Sequence, residues 1–398
     1  MAHQPTITSV EMRGINRSAI LEIIRRESPI ARSTIAQRLG VSLPTVMRIV
    51  DGLIEDGFIR AQGKTEWSGG RRRPLLEFNA DGYIVLGADM GGTEKLYGAV
   101  SEIGGHIINE VDMDRRGASG EECYQLLTEL IDTLLASPGL KGRKVRGIGV
   151  GAPGITHHRQ GIVKWAFALN WKDFPLKERL AKRYKLPITV DNDVNLAALG
   201  EYWYGAGQNI QNMVMIVDGA GIGAGIIIDG TLYRGSTEAS GEIGHLIPGR
   251  EFLGKSFLDF GGLESVASGT AIINRGREVL SSRRDASTLD HLRAAEVFES
   301  AQRGEKWASS IVRDVVDYLA IAVANLTVSF DPELIVLGGG MTSFAHLLVE
   351  PILNRIDGTI PTLPRLVVSS LGLRATVMGA ITTVLHNTSN FYMVHKLS

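Results

Sequence analysis

Three stretches near the start of the chain alternate apolar and polar residues with a helical period. In NRSAILEIIRRESPI, Ile20, Leu21, Ile23 and Ile24 fall on one face, and the stripe ends near Pro29. ARSTIAQRLG turns Ile35, Ala36 and Leu39 inward, and Gly40 suits a left-handed helix stop. VSLPTVMRIVDGLIEDGFI predicts a third helix: Ser42 is its N-cap, Pro44 sits in the first turn where a missing N–H does no harm, and Val46, Ile49, Val50 and Leu53 form the buried face. Two helices joined by a short glycine turn read as a helix-turn-helix. FIRAQGKTEWSGGRRRPLLEFN then reads as two strands joined by a loop, a wing.

From about residue 83 the pattern changes to strands alternating with helices. YIVLGADMGGTEKLYGAV and NMVMIVDGAGIGAGIIIDG resemble each other as β-rich runs with glycine-rich turns, which predicts a duplicated, two-lobed α/β architecture. PITVDNDVNLAALGE is a strand running into a helix, and PELIVLGGGM is a buried strand ending in Gly338, Gly339 and Gly340. The expected units are residues 1–80, a first lobe over 81–200 completed by about 376–398, and a second lobe over 201–375.

A chain of 398 residues is longer than one core usually grows, in keeping with several domains. Its apolar runs are broken before membrane-spanning length, and the N-terminus lacks a basic head followed by an apolar core. The cytoplasm is therefore the expected compartment, with no membrane partner. The single cysteine, Cys123, falls in an amphipathic helix and reads as a buried, inert thiol. Formal charge divides unevenly. Residues 1–80 carry 12 Lys+Arg against 8 Asp+Glu, a net of +4, and the remainder carries 30 against 35, a net of −5. The basic end suggests an anionic partner.

The third helix exposes Thr45, Met47 and Arg48 beside Ser42, residues able to reach base edges or phosphates in a major groove. In GGRRRP, flexible glycines deliver Arg71, Arg72 and Arg73, which suit a narrow minor groove or a phosphate row. The bland alternative is a small interaction domain with a solvated charge run.

In the later region, Gly91, Gly92 and Thr93, and Gly219, Gly221, Gly223 and Gly225, let backbone N–H groups approach phosphate closely, though such turns are more often tight hairpins. Asp191, Asn192 and Asp193 could activate and orient a substrate hydroxyl for phosphoryl transfer, or simply cap a helix. GVGAPGI places Gly151, Pro153 and Gly154 after a strand, where open α/β sheets receive ligands.

The order DMGGT, GAPG, DNDVNLAALGE, GAGIGAG, GEIGH, GGLE and LGGG resembles the ROK family of repressors, open reading frames and sugar kinases, and the resemblance spans essentially the whole chain. It implies a winged helix-turn-helix followed by a two-lobed actin- and hexokinase-like (ribonuclease H-like) ATPase fold. By that resemblance Asn192 contacts the sugar and Asp193 is the catalytic base of the kinases. Glu242, His245 and Glu264 hydrogen-bond sugar hydroxyls, with Gly154 beside them. Asp89, Gly91, Gly92 and Thr93 form the first phosphate element, Gly221 and Gly223 belong to the second, and Gly338 to Gly340 lie at the adenosine end.

Two departures from the family pattern matter. The family's zinc-binding cysteines are replaced by Lys255, Phe257 and Gly262, so His245 alone cannot hold tetrahedral zinc and a metal-free segment is expected, packed by Phe252, Phe257 and Phe260. A Gly-Thr-Gly run is replaced by Gly219, Ala220 and Gly221, which removes a hydroxyl donor to phosphate. The expected function is a sugar-responsive transcriptional regulator, a repressor of carbohydrate-utilisation genes, that needs no cofactor and acts as a homodimer or higher oligomer on operator DNA. An ATP- and magnesium-dependent sugar kinase with an added DNA-binding domain is the alternative. A protein-binding N-terminal domain conflicts with the basic wing.

Overall fold

The computed structural model describes residues 9–66, 73–92, 94–115, 117–140, 142–256, 261–281 and 289–388. The expectations for Arg71, Arg72, Thr93, Phe257 and Phe260 concern residues outside this set, and Arg73 is described by its backbone alone. Helices α1 (Ser9–Glu27), α2 (Arg32–Leu39) and α3 (Leu43–Glu55) lead into the antiparallel pair β1 (Ile59–Glu66) and β2 (Arg73–Phe78). Gly40 stops α2 at φ 62°, and the Ser42 side chain accepts the Thr45 N–H at 3.4 Å to start α3. The predicted faces are the buried ones: Ile20, Ile24, Ile35, Val46, Val50 and Leu53 are inaccessible to solvent.

The first large sheet takes β3 (Ile84–Asp89), β4 (Lys95–Glu102) and β5 (Ile107–Asp114) as an antiparallel meander. Helix α4 (Gly120–Leu135) then leads to β6 (Val145–Ala152), parallel to β3. A small sheet of β7 (Ile155–His157), β8 (Ile162–Ala166) and β9 (Trp171–Phe174) intervenes before α5 (Leu176–Tyr184) and β10 (Ile188–Asn192), which pairs parallel to β6. Helix α6 (Asp193–Tyr204) follows directly.

The second large sheet repeats this plan. Strands β11 (Met213–Asp218), β12 (Ile222–Ile228) and β13 (Thr231–Tyr233) are antiparallel, while β14 (Leu334–Gly339) and β15 (Leu366–Val368) add in parallel. The orders β10-β6-β3-β4-β5 and β15-β14-β11-β12-β13 coincide strand for strand, so the faint internal repeat of the sequence is a repeat of topology. Helices α7 (Glu264–Ala267), α8 (Gly269–Leu280), α9 (Ala294–Gln302), α10 (Lys306–Phe330) and α11 (Ala345–Ile356) belong to this second half, and α12 (Arg374–Thr388) returns to lie on β3, β6 and α6.

Two features govern the packing. Helices α6 and α12 cross with their backbones in contact: a Cβ on Gly379 would lie 1.8 Å from the Leu196 carbonyl oxygen, and one on Gly200 would lie 2.0 Å from that of Ala375. The N-terminal unit, moreover, does not have a core of its own. Ile20, Leu53 and Phe58 share one buried cluster with Ile103, Val377 and Ile381, so the winged helix is fused to the first sheet through α12. Tyr83 donates its hydroxyl to the Asp56 carbonyl, and the Arg146 guanidinium lies 5.3 Å from the ring centre of Phe58 and 5.0 Å from that of Tyr83.

Overpacking a tight core contact costs about 1–3 kcal/mol, and more where backbone is the obstacle. Gly379→Ala is accordingly expected to lower unfolding stability by at least that amount in urea, while Gly340→Ala, which faces open space, stays near neutral. Equal midpoints for Gly379→Ala and the unaltered chain would refute the crossing.

Candidate functional site in the cleft between the sheets

The parallel strands β3, β6 and β10 end side by side, with Asp89 opposite Gly151 and Asn192 opposite Ala152. This edge, the carboxyl end of an open α/β sheet, is where such folds receive ligands. Asn192 is also the N-cap of α6, its side-chain oxygen accepting the Asn195 N–H at 2.9 Å. The capping and functional readings of this segment therefore coexist. Capping fixes the Asn192 amide, whose nitrogen donates to the Gly154 carbonyl at 3.0 Å and to Asp193 Oδ1 at 3.1 Å. Gly154 has φ 82°, and a Cβ there would strike the Trp165 carbonyl at 2.2 Å, so only glycine brings its carbonyl to Asn192.

Asp193 opens the first turn of α6, and its Oδ1 accepts the Val194 N–H at 3.0 Å. Its Oδ2 lies where a Cβ of Gly91 would be, 2.0 Å away, so the glycine admits the carboxylate to the floor of the cleft. Asp89 accepts the Gly91 N–H at 2.9 Å. Burial raises the pKa of both Asp89 and Asp193, and the proximity of Asp193 raises that of Asp89 further. Glu242 is pushed up to about 7 by burial, with Asp193 and Glu264 adding repulsion. The cleft thus gathers carboxyls that hold protons near neutrality. Carboxyls of that kind suit the hydroxyls of a neutral polyol, because each can accept or donate a hydrogen bond.

GEIGHLIPGREFLGKSFLDFGGLE is distributed as follows. Ile243–His245 form a single 3-10 turn, Glu242 faces Asp193, and the His245 side chain is exposed. Glu264 is tied to backbone: its two oxygens accept the N–H groups of Ile222 at 2.7 Å and Gly261 at 3.0 Å. Phe252 is buried and meets the Tyr318 ring edge-on at 6.3 Å. Lys255 and Gly262 offer no metal donor, so this donor set does not fit the family's zinc. No group of three or more His, Cys, Asp or Glu is placed to hold a metal among the described residues.

The second glycine loop is closed by its own hydrogen bonds. The Gly219 N–H donates to the Gly221 carbonyl at 2.9 Å, and the Thr270 hydroxyl to that of Ala220 at 2.9 Å. A Cβ on Gly221 would meet Glu264 at 2.3 Å, and one on Gly223 would meet Val194 at 3.0 Å, so both positions face protein. Asp218, at the end of β11, is buried with neither carboxylate oxygen hydrogen-bonded, and burial raises its pKa well above the ordinary range. Opposite it, Gly339 sits at φ 95° with its Cα against the Asp218 carbonyl, Gly338 packs on Met215, and Gly340 faces open space.

Sequence reasoning missed an ion pair and a side-chain hydrogen bond that bridge the halves. Arg234, just beyond β13, makes a bidentate pair with Asp191 on β10 at 2.7 and 2.6 Å, and both side chains are largely buried. Glu238 bonds His158 Nδ1 at 2.8 Å. Asp191 lies in the DND run, but nothing in the sequence marks Arg234 as its partner or Glu238 as the partner of His158. In the N-terminal unit the Ser42 and Thr45 hydroxyls bond each other at 2.8 Å, and Met47 and Arg48 are exposed on α3.

Residues 85–387 match the ROK family model, and residues 15–60 match a winged helix-turn-helix DNA-binding model. The chain is 28% identical to a xylose repressor of Caldicellulosiruptor bescii over 390 residues, covering 96% of this chain and 98% of that protein. Among solved structures it is similar to a ROK family transcriptional regulator described as a homologue of the E. coli MLC protein, with TM-score 0.81, 26% identity, and coverage of 95% of this chain and 98% of that one. A ROK family glucokinase from Streptomyces griseus, solved with glucose and AMPPNP, covers 75% of this chain and 98% of its own, with TM-score 0.66 and 25% identity.

The raised carboxyls set the pH dependence of stability. Groups whose folded pKa exceeds the unfolded value bind more protons when folded, so their stabilisation is lost as pH rises through the folded pKa. His386, pushed down to about 4 by burial, acts in the opposite sense but only below its ordinary value of 6.5. Between about pH 6.5 and 8 the ligand-free protein should therefore lose stability with rising pH, and Glu242→Gln should flatten that slope. Denaturant titrations showing equal slopes would remove Glu242 from the cleft carboxyls.

Proposed function

As the chain belongs to the ROK family and carries a winged helix-turn-helix ahead of the family domain, we propose that it is a sugar-responsive transcriptional repressor. Operator DNA is read by α3 through Ser42, Thr45, Met47 and Arg48, with Arg71, Arg72 and Arg73 on the adjoining phosphates or minor groove. A homodimer supplies the two reading heads that a two-fold operator needs, and operator binding puts the protein in the cytoplasm. No helix among the described residues is long and apolar enough to cross a membrane.

The single observation carrying this reading is the shared core of winged helix and first sheet, because it joins the DNA-reading unit to the lobe that holds Asn192 and Asp193. The effector is an uncharged sugar held by Asn192, Asp193, Glu242 and His245, with Gly154 positioning Asn192. The name of the Caldicellulosiruptor relative puts xylose first in a panel of sugars. Glu264 also holds the second glycine loop in place through the Ile222 N–H.

A kinase reading draws on Asp193, which lies beside Asp89 and Gly91 and by resemblance to the family would be the base. The second loop weighs against it: its own carbonyls already engage the Gly219 N–H and the Thr270 hydroxyl, two donors that a phosphate would need. We therefore place repression first and need no nucleotide for it.

Three measurements test this reading. His245→Ala should weaken the sugar by about 1–3 kcal/mol without altering stability, whereas Glu264→Ala should weaken the sugar and lower stability together, because two backbone N–H groups lose their acceptor. Unchanged sugar affinity in both would remove these residues from the site. Replacing Arg71 to Arg73 with Ala should weaken operator binding and flatten its salt dependence by up to about one log–log unit per lost phosphate contact. Linkage then requires that operator and sugar change each other's affinity by the same factor, with about 2.7 kcal/mol of coupling for a 100-fold effect. Identical sugar affinity with and without operator would separate the two functions.

A further inference from the structure

The run from Arg234 to Glu242 leaves β13 on the second sheet, ends at a cleft carboxyl, and touches the first half of the molecule at two points on the way. It is a fixed part of the second half. The Ser240 N–H donates to the Arg234 carbonyl at 3.2 Å and closes the loop, and the Ala224 N–H on β12 donates to the Gly241 carbonyl at 2.7 Å. Gly241 lies at φ 90°, and a Cβ there would stand 1.8 Å from the Ala224 carbonyl oxygen, so the chain is pressed against β12 just before Glu242. The first contact with the opposite half is the Arg234 guanidinium, which donates to both oxygens of Asp191 at 2.7 and 2.6 Å. Asp191 Oδ1 also accepts the Asn192 N–H at 2.8 Å. The second contact is Glu238, which takes the left-handed backbone at φ 66°, bonds His158 Nδ1 at 2.8 Å and accepts the His158 backbone N–H at 3.4 Å. That backbone is uncommon for a residue with a side chain, and here it aims the carboxylate across the cleft edge.

We propose that Arg234 and Glu238 are positioning residues of the sugar site, which together fix the separation at which Glu242 of one half faces Asn192 and Asp193 of the other. The role rests on the reading of the cleft as a sugar site. A single contact would leave the halves free to turn about it, whereas two contacts define one placement. The bidentate pair adds direction, because two parallel N–H···O bonds form only when both planar groups align. Both contacts converge on Asn192. Arg234 acts through Asp191, which holds the Asn192 N–H, and Glu238 acts through His158 at the turn of the β7–β8 hairpin, whose other end brings Gly154 to the Asn192 amide. Neither residue needs to touch the sugar. A hydroxyl bond prefers about 2.7–2.8 Å between oxygens, so a cleft wider by about an ångström releases one side of the ring. Apparent sugar affinity then scales with the fraction of molecules in the clamped placement.

The test uses the full-length chain, with xylose, glucose and galactose as probes. Arg234→Ala would strand the buried Asp191 charge, so the pair is tested as Asp191→Asn with Arg234→Gln, which removes both charges at once. Glu238→Ala breaks the second contact, and Glu238→Gln keeps an acceptor for His158. Spin labels on Gln160→Cys and Ser236→Cys, exposed positions on the two sides, report the separation, while the native Cys123 is buried. Ligand-free protein should give one narrow distance, which lengthens and broadens in Glu238→Ala and in the double variant. Where the clamped fraction falls to about a tenth, calorimetry should show sugar bound about tenfold more weakly, with Glu238→Gln within about twofold of the unaltered chain. Saturating sugar should narrow the distance again in the weakened variants, because it prefers the clamped placement, and a misfolded chain would not respond in this way. The proposal is overturned if the variants keep the unaltered distance, or if sugar binds all the chains equally. If none of the three sugars binds the unaltered chain, the sugar reading itself falls and this role falls with it.

Discussion

Everything in this molecule hangs on the close crossing of α6 and α12. The two helices meet backbone to backbone at Gly200 and Gly379, too near for any side chain between them. Helix α12 lies on the first sheet and carries Val377 and Ile381 into the core of the winged helix, while α6 runs from Asp193 in the cleft to Trp203 and Tyr204 at the interface with α1. Close packing makes this arrangement stiff. A displacement of α6 at the cleft cannot be absorbed at the crossing, so it must appear as a movement of α12 or of the N-terminal unit.

The second constraint is electrostatic. Asp89, Asp193, Asp218 and Glu242 all have raised pKa values through burial, and Glu264 beside them is held by two backbone N–H groups. Such a cleft is poorly matched to a polyanion and well matched to hydroxyl groups. The bridging pairs Arg234–Asp191 and His158–Glu238 lie at the edge of the same cleft and hold its sides together. Removing one member of the Arg234–Asp191 pair would leave a buried charge alone, so these contacts set the position of one sheet relative to the other more than they add net stability.

Patterns with a fixed period were determined by the sequence itself. The apolar faces of α2 and α3, the stop at Gly40, the cap at Ser42 and the repeated strand-turn-strand plan all follow from local preferences that act over a few residues, and the motif order was sufficient to indicate the family. Long-range contacts were left to the tertiary structure. It decided that the winged helix shares its core with the first sheet, that Gly223 packs on α6 and Gly221 on Glu264, and that Glu264 is tied to backbone. It also decided that Arg234 finds Asp191 and that Trp203 and His386 close a cavity with Leu21. Each of these joins residues tens to hundreds of positions apart, where no periodicity relates them. Burial, and with it the raised proton affinity of Asp89, Asp193, Asp218 and Glu242, exists only once those distant segments have excluded water.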